Sequence, residues 1–418
     1  MTKPSSTIDS GVPSLHFPGG PLSCAERDKL LQTASELVPA LRERATETNK
    51  LRRLPDETVS DLRRLGLLDL TRPREYGGYE VDQQTLMDVI AELARGCAST
   101  AWVTAIVNTA GFIAGSGLPA EACKELFESK KSACAIFNSR KGGVAREVEG
   151  GYIVDIGEWP WGSGSQVSDW AILRIMLMGD NGKPVDAGLA LVPMSDLTIL
   201  DEWHTTAMRG TASNVVCAEN VFIPKNRVGR FKRLLTGDHL SEVDDIYRTP
   251  WLATVFLGLG PVGLGLARAA LEVFKKKVDG KPMAFTNQRN RAEMSRTHIC
   301  VGKAQQKIDA ACMLIRRAAA TLDYWRLEGE QAPLDDRLRV RSDLGGCAEL
   351  SNDVVKMLYQ EAGASCIMES DPLAIIARDI NAVVMHGANN PATNTELYGA
   401  ALMGQAPMCQ QFGPILMA

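Results

Sequence analysis

A chain of 418 residues, 45% of them hydrophobic, has the material for two or three ordinary domains with sizeable cores. Its net charge of -4 leaves no basic stripe to neutralise phosphates, which argues against nucleic acid as a partner. Ten cysteines are scattered without a Cys-x-x-Cys pair, and no charged start followed by an apolar core opens the chain; a cytoplasmic protein with reduced thiols and no metal site is expected.

Residues 1–22, rich in Ser, Pro and Gly and without a period, read as a mobile arm. From Ser23 a helical pattern takes over: Leu30, Leu31, Ala34, Leu37, Val38 and Leu41 recur at three and four, with charges on the other face. Leu54-Pro55-Asp56-Glu57 starts a second helix, with Val59, Leu62 and Leu65 as its stripe and Gly66 as its stop. A turn at residues 73–78 leads into a third, carried by Leu86, Val89, Ile90 and Leu93 towards Gly96. An apolar helix then runs from Ala98 through Trp102 to Ala114. Residues 23–130 read as an N-terminal helical domain.

Between Gly157 and Pro224 the pattern changes. Residues 170–178 and 187–193 are apolar runs bounded by Gly, Asp and Pro, which fits buried strands, with Gly179-Asp180-Asn181-Gly182 as a hairpin between them. Two hydroxyl-bearing turns of small residues flank these runs, each beside tryptophan. One is Trp159-Pro160-Trp161-Gly162-Ser163-Gly164-Ser165; the other follows Trp203 and reads Arg209-Gly210-Thr211-Ala212-Ser213. Such turns let backbone N–H groups approach a flat polar ligand, and Arg209 either faces a phosphate or is a solvated surface residue. Residues 131–235 read as a middle β-domain.

Beyond Pro224 the pattern is helical. The longest apolar run, 251–267, falls short of the roughly 18–20 residues of a spanning helix and is broken by Pro261 and four glycines. It reads as part of a buried bundle helix over 250–278, and no membrane partner is expected. Val301, Ala304, Ile308, Ala311, Ile315, Ala318 and Leu322 hold a heptad repeat, and further helices are expected at 335–361 and 371–385. Residues 236–405 thus read as a four-helix C-terminal bundle, with 406–418 as a tail. The apolar 251–267 run and the heptad helix offer more apolar face than one bundle covers, which predicts a homotetramer or at least a dimer.

Gly-x-Trp-x-x-x-Ser-Gly at 157–164, Arg-Gly-Thr-x-Ser at 209–213 and Val-Phe-Ile-Pro at 221–224, in that order, resemble the middle domain of the acyl-CoA dehydrogenase fold. They are most similar to its branch of two-component flavin-dependent monooxygenases, and the resemblance spans about residues 25–405. It implies an N-terminal all-α domain, a middle β-barrel or sandwich and a C-terminal four-helix bundle. It also implies an oxygenase component that takes reduced flavin, FADH2 or FMNH2, from a separate flavin reductase and uses O2 as co-substrate through an oxygen adduct at flavin C4a. Trp161, Ser163, Arg209, Thr211, Ser213 and Asn390 are then the residues expected at the flavin, with the Ser163 hydroxyl beside N5–H. Trp102, Thr104, Asn108 and His386 are those expected at the substrate, although Trp102 reads equally as core packing.

The chemistry turns on a base. Dehydrogenation needs a carboxylate to remove the α-proton, and in the dehydrogenases one such Glu follows an Arg-Asp pair by eight residues. Arg378-Asp379 is present, but Gly387 stands at the Glu position, and no carboxylate lies between Ile246 and Leu271, where the alternative base would be. His386, next to the empty position, is the candidate to take a proton from a hydroxyl or ammonium group; its other reading is a helix histidine bonded to a carbonyl. Phenol-hydroxylating relatives place a histidine on the helix after Trp102, yet this chain has none between His16 and His204 and offers Thr104, Asn108 and Thr109 there. That departure points away from a simple phenol, towards an apolar ring system or an amine such as a nucleotide-linked amino sugar. The stretch 277–285 lacks the family's Arg-x-x-Phe-Gly, so FAD and FMN are not separated. A dehydrogenase with a displaced base and a non-catalytic protein of the same fold are the alternatives.

Overall fold

A computed structural model describes residues 22–129, 135–179 and 182–405. The arm up to residue 21, Asp180-Asn181 of the expected hairpin tip and the 406–418 tail lie outside the described residues.

The first helix, α1 (Cys24–Leu51), starts where the sequence pattern does. The Ser23 hydroxyl accepts the Glu26 N–H while the Glu26 carboxylate accepts the Ser23 N–H, a capping box. It is followed by α2 (Asp56–Arg64), α3 (Gln83–Gly96), α4 (Ala98–Gly117) and α5 (Ala120–Phe127). Almost every residue of α4 is buried, because α3 and the later helix Pro261–Val278 flank it on one side and the sheet on the other.

Seven strands follow: β1 (Ala135–Val148), β2 (Gly151–Gly162), β3 (Trp170–Met178), β4 (Pro184–Pro193), β5 (Thr198–Leu200), β6 (Asn214–Pro224) and β7 (Val228–Arg230). They form one sheet in the order β5-β6-β2-β1-β3-β4-β7, antiparallel except for the parallel β1–β3 pair. Ile172, Leu189 and Leu191 pack with α4 and α5, whereas Ala171, Leu173, Ile175, Ala190 and Val192 join Val154, Trp159, Val216 and Ile223 in an inner core. Burial on both faces explains why β3 and β4 read as unbroken apolar runs rather than alternating ones. A single core drawn from both ends of the strand order is the signature of a sheet closing on itself, barrel-like.

The rest is helical: α6 (Phe231–Thr236), α7 (Trp251–Leu257), α8 (Pro261–Val278), α9 (Ser295–Glu328), α10 (Leu334–Ala362), α11 (Pro372–Met385) and α12 (Pro391–Leu402). The helix expected over 250–278 is therefore two. The chain breaks at Gly258–Gly260, and Pro261 opens α8 at a position where its missing N–H costs nothing. Gly260 is closely packed there: a Cβ would lie 2.2 Å from Leu344 Cδ1, and that side chain would have to move to admit it. The apolar 251–278 stretch is mostly inside the fold, so its glycines serve the bundle and not an outer face. The sequence expectation that this run leaves apolar face uncovered by its own bundle is corrected accordingly. A single core runs from α1 and α3 through α8 to α11, so the N- and C-terminal helices pack as one mass on which the sheet rests.

Candidate functional site

Four pieces meet beside the sheet: the end of β2, the segment before β6, the start of α4 and the end of α11. Pairing of β2 with β6 slips between Trp159 and Gly162. Such a bulge re-aims side chains, and here it separates the two tryptophans of the motif. Trp159 is 1% exposed, and its Nε1–H donates to the Arg174 carbonyl at 2.9 Å. Trp161 is turned outward at φ +71°, 57% exposed, with its ring edge-on to Trp203 at 5.3 Å. A tryptophan held at positive φ is strained, and strain of this kind gathers at ligand sites.

Backbone ties then join the two turns: Gly164 N–H donates to the Thr211 carbonyl at 2.7 Å, and the Ser165 hydroxyl to the Ala212 carbonyl at 3.0 Å. Gly210 is pressed so closely on α1 and α4 that a Cβ would lie 2.2 Å from Thr48 Cγ2. Met208 and Ala212, on either side of Arg209–Thr211, both adopt left-handed conformations. One cause of that shape is on α11, where the buried Asp379 carboxylate accepts the Met208 N–H at 2.7 Å. Burial raises this carboxyl to about 6.

The side chains form a chain of hydrogen bonds. Trp102 Nε1–H on α4 donates to Ser163 Oγ at 3.3 Å; Ser163 Oγ lies 2.7 Å from Ser213 Oγ, and Ser213 Oγ 2.6 Å from Thr211 Oγ1. Thr211 Oγ1–H ends the chain on the Met208 carbonyl at 2.9 Å. The other side of Trp102 meets His386, with ring centroids 5.1 Å apart and planes at 79°. His386 directly follows α11, and its Nδ1 accepts the Ala388 N–H at 3.3 Å. The imidazole is open to solvent on one side yet crowded by protein atoms, and that desolvation lowers its pKa to about 4. It is a neutral ring with Nδ1 occupied, so the proton belongs on Nε2.

The fold thus brings together Trp102, Ser163, Thr211, Ser213 and His386 from four distant stretches, and sets Trp161 on the outer rim. Arg209 is half-buried, and its Nε is buried without a hydrogen-bond partner among the described residues. The Thr104 hydroxyl is likewise buried and unpartnered among them.

Two expected site residues do something else. Both amide donors of Asn108 are engaged, by the Leu67 and Thr104 carbonyls at 2.9 Å, and its Oδ1 accepts Thr71 N–H at 3.2 Å. It fastens the 67–71 segment to α4 and is not a pocket residue. Asn108→Ala should lower unfolding stability by about 3 kcal/mol through the buried partners it orphans, with flavin affinity per folded molecule unchanged; denaturant melts and flavin titration on the same preparation check this. Asn390 is the N-cap of α12, accepting Thr393 N–H at 3.0 Å, and its side chain bonds to none of the relay groups. Conversely, Asp379 served only as a landmark in the sequence, and its grip on the 208–213 turn has no sequence signal.

Gly387 stands in open space, with nothing within 4 Å of a built Cβ. A glutamate would fit there, and none is present.

Residues 25–121 match the family described as Acyl-CoA dehydrogenase, N-terminal domain, and residues 257–391 match Acyl-CoA dehydrogenase, C-terminal domain. The chain is 30% identical over 381 residues to the flavin-dependent monooxygenase oxygenase subunit HsaA of Rhodococcus jostii, covering 90% of this chain and 98% of that protein. It is 28% identical over 394 residues to the oxygenase component of an FADH(2)-dependent resorcinol hydroxylase of a Rhizobium species, covering 91% and 96%. Among solved structures, XiaF from a Streptomyces species in complex with FADH2 and glycerol superposes with a TM-score of 0.86 at 30% identity, over 92% of this chain and 97% of that one.

Proposed function

This chain belongs to the acyl-CoA dehydrogenase family, in its branch of flavin-dependent monooxygenase oxygenase subunits, and we propose that it holds reduced flavin at the Ser163 turn to hydroxylate an aromatic substrate beside His386. The observation that carries this reading is the Trp102–Ser163–Ser213–Thr211 chain, which sets a hydroxyl oxygen at the meeting point of both turns, next to the Trp102–His386 ring pair.

Reduced flavin, when bound, supplies the two electrons that take one atom of O2 to water while the other enters the substrate. The residues fit such a group. Ser163 Oγ would accept from flavin N5–H, Trp161 and Trp203 would wall one side, and the Arg209 guanidinium, whose buried Nε has no hydrogen-bond partner among the described residues, would be available to the phosphate. Trp102 and His386 shape the substrate side, with Thr104 on α4 offering a hydroxyl that has no partner among the described residues. Being neutral, His386 donates Nε2–H to the substrate oxygen and favours its phenolate form; this replaces the base role read from the sequence. An ammonium substrate would want a carboxylate, and the residues meeting here supply none, Asp379 being committed to Met208. The same commitment, with Gly387 bare, leaves the dehydrogenase reading without a base. A separate reductase delivers the reduced flavin.

The test is anaerobic titration with FADH2 and FMNH2, followed by admission of 18O2 with a panel of phenols and indoles. Tight binding of one reduced flavin and an 18O-labelled ring product are expected. Failure to bind either reduced flavin ends the reading.

The assembly is proposed to be a homo-oligomer closed through α9, where Ile299, Met313 and Leu327 stand exposed at two-heptad intervals. Sedimentation is expected to show a dimer or tetramer; a stable monomer at micromolar concentration would contradict it.

A further inference from the structure

Hydrogen bonds in the relay have a direction, and proton counting fixes it. Three oxygen–oxygen contacts link Met208 O, Thr211 Oγ1, Ser213 Oγ and Ser163 Oγ, at 2.9, 2.6 and 2.7 Å. Each needs one proton. The three hydroxyls hold one each, and the carbonyl holds none. Thr211 must therefore donate to Met208 O, Ser213 to Thr211 and Ser163 to Ser213. Reversing the chain would leave the Thr211 and Met208 oxygens facing one another at 2.9 Å with no proton between them, a buried repulsive contact. The Met208 carbonyl is held in place, since it also accepts Trp203 Nε1–H at 3.1 Å.

Ser163 is then left with no proton to offer. One of its lone pairs takes Trp102 Nε1–H, and the other is free. Towards a ligand it acts as an acceptor only. Reduced flavin carries a hydrogen on N5, whereas oxidised flavin presents a bare N5 that itself needs a donor.

We propose that Thr211, a residue that need not touch the flavin, is the positioning residue that makes this site select the reduced over the oxidised cofactor, by anchoring the relay to the Met208 carbonyl. The proposal rests on the flavin reading above and deepens it. With the anchor gone, Ser213 can turn its proton to Ser163, and Ser163 can donate to oxidised N5. The oxidised complex gains a hydrogen bond that the reduced complex does not.

The experiment measures dissociation constants for oxidised FAD and, anaerobically, for reduced FAD in wild type, Thr211→Val, Thr211→Ser and Ser213→Ala. FMN replaces FAD throughout if it binds more tightly. Thr211→Val, isosteric but without the hydroxyl, is expected to bring the oxidised-to-reduced Kd ratio down about fivefold, the worth of one hydrogen bond. Ser213→Ala frees the Ser163 proton directly and should shift the ratio the same way, which keeps the test intact if the Val variant does not fold. Thr211→Ser retains the anchor and should keep the wild-type ratio. A packing role for Thr211 would weaken both flavin states equally. An unchanged ratio in Thr211→Val or Ser213→Ala overturns the proposal while leaving flavin binding intact, whereas absence of binding in the wild type overturns the flavin reading itself and this inference with it.

Discussion

Ser163→Ala is expected to cut the product formed per reduced flavin roughly tenfold, with the shortfall appearing as hydrogen peroxide. Alanine removes the lone pair that meets N5–H, strands the Trp102 Nε1–H and takes away the proton that the Ser213 oxygen accepts, while Ser213 keeps its bond to Thr211. The turn itself should survive. It is tied by Gly164 N–H to the Thr211 carbonyl and by Ser165 to the Ala212 carbonyl, neither of which uses the Ser163 side chain. Product and peroxide are quantified after a single turnover with pre-reduced flavin, beside the melting temperature. Unchanged coupling in a folded variant removes Ser163 from the flavin contact.

Much of this site could be read from the sequence because its parts are local and chemically unusual. Small hydroxyl residues beside tryptophan in two strand-flanking turns are few, and both turns landed at the junction. The missing glutamate was equally local, since Gly387 lies a fixed distance from Arg378-Asp379 in one helix and its end. Long-range pairing was not legible. Asn108 is a polar residue on an apolar helix whether it faces a ligand or a neighbouring backbone, and only the fold shows that residues 67–71 claim it. Asn390 followed by Pro391 is a helix start, a signal that a resemblance to cofactor-binding positions overrode. The slip that separates Trp159 from Trp161 depends on the register of β2 against β6, which the motif Trp-Pro-Trp does not encode. The polarity of the relay depends on three oxygens from two turns lying within hydrogen-bond reach, so it exists only in three dimensions.

His386→Ala carries the largest expected loss, about 10²-fold in product formation, the scale on which removal of one aimed donor acts. Reduced-flavin affinity should stay near wild type, because His386 contacts the relay only through the Trp102 ring. The neutral-donor role and the base role diverge in two measurements. A base with an ordinary histidine pKa near 6.5 would lose activity as pH falls below that value. Desolvation by the protein atoms crowding the ring instead lowers His386 to about 4, which favours the neutral ring, so product yield should be flat from pH 8 down to pH 5. Glutamine separates them again: it can present an N–H donor at a reach similar to Nε2, yet it cannot take a proton. His386→Gln is therefore expected to recover most of the activity that His386→Ala loses, and a Gln variant as inactive as Ala, with yield falling below pH 6.5 in the wild type, would return the residue to the base role. A third outcome, reduced melting temperature with normal yield per folded Ala variant, would make His386 a packing residue whose ring merely supports Trp102.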